Sequence, residues 1–336
     1  MPSVLIIVFV ICNMAKTFYI FTSGELVRKE NTLCLKTQDE EKRFIPVAEV
    51  EQIFLFGENT FNTKLVDFLS QNKIVLHFFN HYGYYTGSFY PREENLSGSL
   101  ILKQVEHCQD MEKRLKIAKK FVEGAIHNLH RVLEKRGFSE EVEKMKQCET
   151  NISNMNTVED LMLLEAKARK IYYSTFEKIT GWYFGERSIQ PPQNPLNAMI
   201  SFGNALLYSN ILKEIYHTAL HPAISYLHEP AERRFSLALD IAEIFKPIFV
   251  DRLIFRLIEL KMIKEENFLR ELNFAYLNDE GRKIFVKEFD GLLEETILHR
   301  NLRRKIKYRN LIRLELFKLV KHLFGEKEYS PLKVWW

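Results

Sequence analysis

The feature that most constrains this chain is a change of hydrophobic period between Pro91 and Gly98. Before it, TFYIFT, ELVRKE, TLCLKT, RFIPV and QIFLF, several of which alternate apolar and polar side chains, are separated by turn residues such as Ser23-Gly24 and Gln38-Asp39. Alternation of period two is the mark of half-buried strands. Phe61, Leu65, Phe68 and Leu69 fall at helical spacing, and KIVLHFFN follows as a buried strand. After the boundary nearly every segment carries the 3.6-residue period. The expectation is an α+β protein: a small β-rich N-terminal domain over 14–91, a linker at 92–98, a larger all-α domain over 99–325 and a tail at 326–336.

The helical half divides at its breakers. One long helix is expected from Ser99 to Arg136, ending at Gly137. Thr157 followed by Asp160 has the form of a capping box and opens the helix LMLLEAKARKIYYSTF. The stretch from Gly181 to Pro195, with Pro191-Pro192, reads as a loop. A helix from Leu196 to Leu220 follows, with Asn197, Ser201, Asn204 and Tyr208 as a polar stripe. Buried polar groups need partners, so the stripe either orders a site or makes helix–helix hydrogen bonds. Asp251-Arg252 are expected in ion pairs. A last helix is expected from Phe289 to Phe324.

Composition adds limits rather than an identity. With 46% hydrophobic and 27% charged residues among 336, a folded globular chain is expected. Four scattered cysteines, Cys12, Cys34, Cys108 and Cys148, form neither a zinc knuckle nor a disulfide framework, which fits a reduced, cytoplasmic setting. The apolar run Val4 to Cys12 is too short to span a bilayer. Residues 1–13 read as an upstream extension before a start at Met14, the alternative being an added strand or a membrane-contacting segment.

Net charge is only +4, so a nucleic-acid partner has to be argued from distribution. From Arg300 to Arg313 there are seven Lys or Arg, Arg303 and Arg304 among them, and no Asp or Glu. Such a run on one helix would follow a phosphate backbone, with Tyr308 interleaved. The aromatic tip His81-Tyr82-Gly83-Tyr84-Tyr85 would stack on bases, although packing against a neighbouring strand is the stronger reading.

Chemistry concentrates in YLHEPAERRFSLALDIAEIFKP, Tyr226 to Pro247. His228 is followed by Asp240 and Glu243, which share a helix face by their i, i+3 spacing. Ser236 is placed to cap that helix, and Arg233 and Arg234 put positive charge beside it. On the distant LLEAKARKIYY helix, Glu165, Ala168, Arg169 and Tyr172 share another face. A histidine near a carboxylate pair is a metal site in outline, whereas Glu165 alone is an ordinary helix carboxylate.

Together FYIFTSGELVRKENTL, LLEAKARKIYY, NPLNAMISFGNALLY, HPAISYLHE and SLALDIAEIFKPIFVDRLI resemble the CRISPR-associated integrase and endonuclease subunit of spacer acquisition, the Cas-one family. The resemblance runs from Met14 over nearly the whole chain; His221 before Pro222 and Lys246 before Pro247 depart from its usual pattern. It implies that Glu165, His228 and Glu243 are metal ligands, with Asp240 a supporting carboxylate or alternative ligand, and that Arg169, Asn197 and Ser236 support the site or contact DNA. Hard oxygen ligands with one imidazole suit Mg²⁺ or Mn²⁺ better than zinc. The implied activity is insertion of captured DNA into a CRISPR array, by a homodimer joined through the β-rich domain and a small Cas-two subunit, acting on double-stranded and branched DNA and not on membranes. A non-catalytic nucleic-acid scaffold and a small-molecule phosphohydrolase are the competing functions; the cationic run argues against the second.

Overall fold

The computed structural model describes residues 16–91, 97–230, 235–271, 274–300 and 302–335. The extension expected at 1–13, most of the linker, and Arg233 and Arg234 lie outside the described residues. The chain is an α+β protein whose strand-rich N-terminal region precedes a mainly helical one, and it divides into two compact units.

The first unit contains β1 (Lys16–Ile20), β2 (Gly24–Lys29), β3 (Thr32–Thr37), β4 (Lys42–Pro46), β5 (Val50–Leu55), β6 (Asn59–Phe61), helix α1 (Thr63–Gln71), β7 (Val75–Phe79) and most of β8 (Tyr85–Phe89). They form two four-stranded sheets, ordered β1-β5-β7-β8 and β4-β3-β2-β6. β2, β3 and β4 are an antiparallel meander, while β5 runs parallel to β1 and β7. Asn62 caps α1 by accepting from Leu65 N. Its apolar face closes the core with Leu26, Leu33, Ile53, Leu65, Leu69 and Leu76, all essentially inaccessible.

The second unit begins with α2 (Gly98–Gln109) and α3 (Met111–Glu134). The single helix expected from Ser99 to Arg136 is therefore two. Asp110 breaks it by taking an extended conformation and accepting from Glu112 N and Lys113 N, so it starts α3 instead of continuing α2. Gly137, at φ 78°, ends the turn after α3 as expected and leads to α4 (Ser139–Asn151). Next come α5 (Val158–Tyr173), α6 (Phe176–Thr180), α7 (Pro195–Tyr216), α8 (Ser236–Phe245), a π-helical turn at Lys246–Asp251 and α9 (Arg252–Glu259). The α3 helix packs against α4, α5 and α8, and α7 packs against α8 and the π turn. Gly203 permits that last approach, since a Cβ there would lie 2.6 Å from Val250 Cγ1.

The C-terminal part departs most from expectation. After α9 come hairpin β9 (Phe268–Glu271) with β10 (Phe274–Leu277), helix α10 (Asp279–Glu294), hairpin β11 (Thr296–His299) with β12 (Arg304–Lys307), and α11 (Arg309–Leu323). The helix expected from Phe289 to Phe324 is thus interrupted by strands, and the cationic run lies on a hairpin and the start of α11. The alternation of exposed Lys305, buried Ile306, exposed Lys307 and buried Tyr308 is the period-two signal that the charge count obscured. The tail docks. Tyr329 is buried, its hydroxyl donating to Glu315 Oε1, and Asn128 of α3 spans the Ile244 and Leu332 carbonyls and the Val334 N–H. No described helix is long and apolar enough to cross a membrane.

Candidate metal centre

The site is built by α5, α8 and the loop before α8. Thr157 caps α5 by accepting from Asp160 N at 3.0 Å, as its capping sequence predicts. Leu161, Leu164, Ala168 and Tyr172 are buried, which brings Glu165 and Arg169 to the inner edge of the helix. Helix α8 is buried at nearly every position, Asp240 and Glu243 included. Ser236 does not cap it. It is the first helical residue, and its hydroxyl donates to the Ala223 carbonyl, tying the preceding loop to the helix.

Asp240 organises that loop. It accepts from Tyr226 N at 2.7 Å, Leu227 N at 3.0 Å and His228 N at 2.9 Å, while its Oδ1 lies 2.8 Å from His228 Nδ1. Four donors saturate a carboxylate. Asp240 is therefore a positioning residue: it fixes the tautomer and direction of the His228 ring and leaves Nε2 as the nitrogen open to a ligand. Burial pulls the His228 pKa down, but the hydrogen bond and charge of Asp240 outweigh it and the net shift is upward.

Arg169 joins the two glutamates. Its Nε lies 2.7 Å from Glu165 Oε1 and its Nη2 2.5 Å from Glu243 Oε2, while Lys246 grips the other oxygen of Glu243. The same Nη2 reaches the Glu243 carbonyl at 3.3 Å. Pro247 explains why that carbonyl is available, because a proline has no N–H to complete the i to i−4 bond back to residue 243. The wider π turn follows at this point.

Electrostatics separates the two glutamates. Burial opposes ionisation of Glu243, yet Lys246 and Arg169 prevail and hold its pKa at about 2. Glu165 moves the other way, raised by burial and then by the Glu243 charge, against a weaker pull from Arg169. Asp251, fully buried at the end of the π turn, is raised to about 6 by burial despite Arg169 and Lys246, and its Oδ2 has no hydrogen-bond partner. The ion pair expected for Asp251 is replaced by a buried acid facing this cluster.

Among the described residues, a set of histidine and carboxylate ligand atoms all within 4.8 Å of one another occurs on α3 and α4, not at Glu165, His228 and Glu243. At Glu165 and Glu243, two carboxyl side chains are bridged by a guanidinium, which offsets the repulsion between like charges. The donor set of two carboxylates and an imidazole fixed through its other nitrogen nevertheless has the composition of a hard-cation site.

The remaining expected site residues lie elsewhere. Asn197 is buried and orders the loop before α7: its Oδ1 accepts from Arg187 Nη1 and Ser188 N, and its Nδ2 donates to the Glu186 carbonyl. Ser201 accepts from Arg187 Nη2, so this part of the polar stripe is spent on the loop. The aromatic tip packs within its own unit, Tyr82 and Tyr84 against Tyr276 and Tyr85 against Tyr208. Within the cationic run, Lys307 and Arg309 pair with Glu294, Arg313 pairs with Glu214, and Tyr308 is buried. Arg303, Arg304 and Lys305 stand exposed at the hairpin, where Arg303 adopts φ 51°. Sequence reading missed the partnership of Lys246 and Asp251 with the site; the signal for it was Pro247, four residues after Glu243.

Comparison with known proteins gives this geometry its context. The family model described as CRISPR associated protein Cas1 matches residues 18–291. The chain is 59% identical to CRISPR-associated endonuclease Cas1 2 of Moorella thermoacetica, over 96% of this chain and all of that one. It is 41% identical to CRISPR-associated endonuclease Cas1 of Methanocaldococcus jannaschii, over 95% of this chain and 99% of that one. Among solved structures, a Cas1 protein from Thermotoga maritima superposes with a TM-score of 0.87 at 42% identity, covering 94% of this chain and all of that one. A casposase bound to integration product shares the fold at 22% identity, with a TM-score of 0.83 over 94% of this chain and 92% of that one. The chain belongs to the Cas1 family of CRISPR-associated proteins.

Proposed function

We propose that this protein is a metal-dependent DNA endonuclease and integrase, which inserts captured DNA fragments as new spacers into a CRISPR array by phosphoryl transfer. The observation that carries the reading is the meeting of Glu165 and Glu243 on Arg169 beside a His228 whose free nitrogen is oriented by Asp240. Glu165, Glu243 and His228 Nε2 would hold Mg²⁺ or Mn²⁺. Such an ion polarises the scissile phosphate and stabilises the charge that builds up in in-line attack. Lys246 and Arg169 keep Glu243 ionised, and Asp240 holds the imidazole in its ligating tautomer. Arg303, Arg304 and Lys305 offer exposed positive charge to a DNA backbone.

The names of the relatives support the endonuclease part, and the casposase of like fold was solved with an integration product. A Cas6-RT-Cas1–Cas2 complex also contains this fold, in keeping with a Cas-two partner here. Phe44, half exposed on edge strand β4, supports pairing of two copies through the β-rich unit. A cytoplasmic site of action follows from the reaction.

The decisive assay incubates the protein with branched DNA with and without Mn²⁺. Strand-transfer products that require the metal and vanish in folded Glu165→Ala, His228→Ala and Glu243→Ala variants are expected. Salt-sensitive DNA binding with no metal-dependent product would favour a scaffold instead.

A further inference from the structure

A second group of potential ligands lies on the α3–α4 hairpin. His127 and His130 are three residues apart and share a face of α3, and Glu149 meets them from α4. Their donor atoms all lie within 4.8 Å of one another. His127 Nδ1 is 3.6 Å from Glu149 Oε1, and His130 Nδ1 is 3.3 Å from Glu149 Oε2. In a tetrahedral zinc site with ordinary bond lengths, ligand atoms are separated by about 3.3 Å. The side chains are thus already close to that spacing.

Around the group, the far nitrogen of one imidazole is held by the backbone while both near nitrogens face Glu149. His127 Nε2 lies 3.3 Å from the Val334 carbonyl, which only accepts, so this nitrogen carries the proton. His127 Nδ1 is left as the nitrogen that faces the carboxylate. His130, whose side chain is 9% exposed, has a buried Nδ1 facing the same carboxylate without a properly directed hydrogen bond. The nearby ammonium of Lys333 sits 2.7 Å from Glu123 Oε1 and 3.5 Å from Glu149 Oε1, so Glu123 holds it more closely. An imidazole whose far N–H is held by a backbone carbonyl is the usual arrangement of a metal-ligating histidine.

We propose that His127, His130 and Glu149 bind a zinc-class divalent ion, with a fourth position left to water, and that the ion fastens the α3–α4 hairpin to the C-terminal segment through Val334. Two imidazoles and one carboxylate favour Zn²⁺ or Co²⁺ over Mg²⁺. The site shares no residue with Glu165, His228 and Glu243 and is independent of the function proposed for them.

Metal-free full-length protein is titrated with Zn²⁺ in excess Mg²⁺, which competes at a hard-cation site, and bound zinc and thermal midpoint are both followed, with His228→Ala separating the two sites. One equivalent of Zn²⁺ is expected to bind and raise the midpoint, in the wild type and in His228→Ala alike. Affinity is expected to fall by more than the roughly 10–100-fold that loss of a supporting partner costs, in Glu149→Gln and in the His127→Gln/His130→Gln double variant. Glu149→Gln decides alone if the double variant does not fold. The proposal is overturned if the wild type shows no saturable Zn²⁺ binding, or if binding survives Glu149→Gln, or if it disappears in His228→Ala.

Discussion

At Asp251 a single carboxyl group carries a measurable cost. Its pKa in the folded chain is about 6 against an ordinary 3.8, so the folded state binds the proton more tightly than the unfolded one. Stability from this group is greatest below the unfolded pKa and is lost as pH rises through about 6. A rise from 3.8 to about 6 corresponds to about 3 kcal/mol at neutral pH. Asp251→Asn removes the charge at nearly constant shape and is expected to stabilise the protein by about 1–3 kcal/mol at pH 7, with the gain vanishing below pH ~4; paired denaturant melts check this. At Asp240 the carboxylate is matched by three backbone N–H groups and the His228 ring. Asp240→Asn points an amide at those donors. It should cost about 1–3 kcal/mol of stability and weaken Mn²⁺ binding roughly 10–100-fold, measured by calorimetry. Sequence spacing put Asp240 and Glu243 on one helix face but carried no sign of which would be saturated, since the saturating donors come from the loop 226–228.

The helix ends explain what was legible at the scale of elements. Thr157 with Asp160, Gly137 and the run into Pro195 each mark a boundary by local chemistry, and each is where the sequence places it. Asp110 and the β11–β12 hairpin were missed because helix-forming neighbours and a run of charge hid a cap and a period-two stretch. The π turn after α8 is the element on which the site depends most directly. Pro247→Ala restores an N–H that competes with Arg169 for the Glu243 carbonyl. The fold should tolerate this change, while strand transfer falls by up to about 10²-fold through misplacement of Glu243. Unchanged transfer rates, alongside a crystal structure showing Arg169 displaced, would detach this geometry from activity.

Across the whole molecule, a docked C-terminal segment bears on the helical unit that carries the site. Tyr329, Leu332 and Val334 are buried, and Asn128 links this segment to the Ile244 carbonyl near the end of α8. Deleting residues 327–336 should lower stability by about 1.5–3 kcal/mol for each of these buried side chains, seen as a lower urea midpoint. The β-rich unit was readable almost strand by strand because alternation is local. The meeting of Glu165 and Glu243 on Arg169 was not, because it joins helices far apart in sequence, and only the family resemblance linked them with His228. The most direct measurement of the central claim is Mn²⁺ binding followed by electron paramagnetic resonance in the wild type and in Glu165→Gln, His228→Ala and Glu243→Gln. Saturable binding in the wild type that is lost in each folded variant is the predicted result; Mn²⁺ binding that is indifferent to all three substitutions would contradict it.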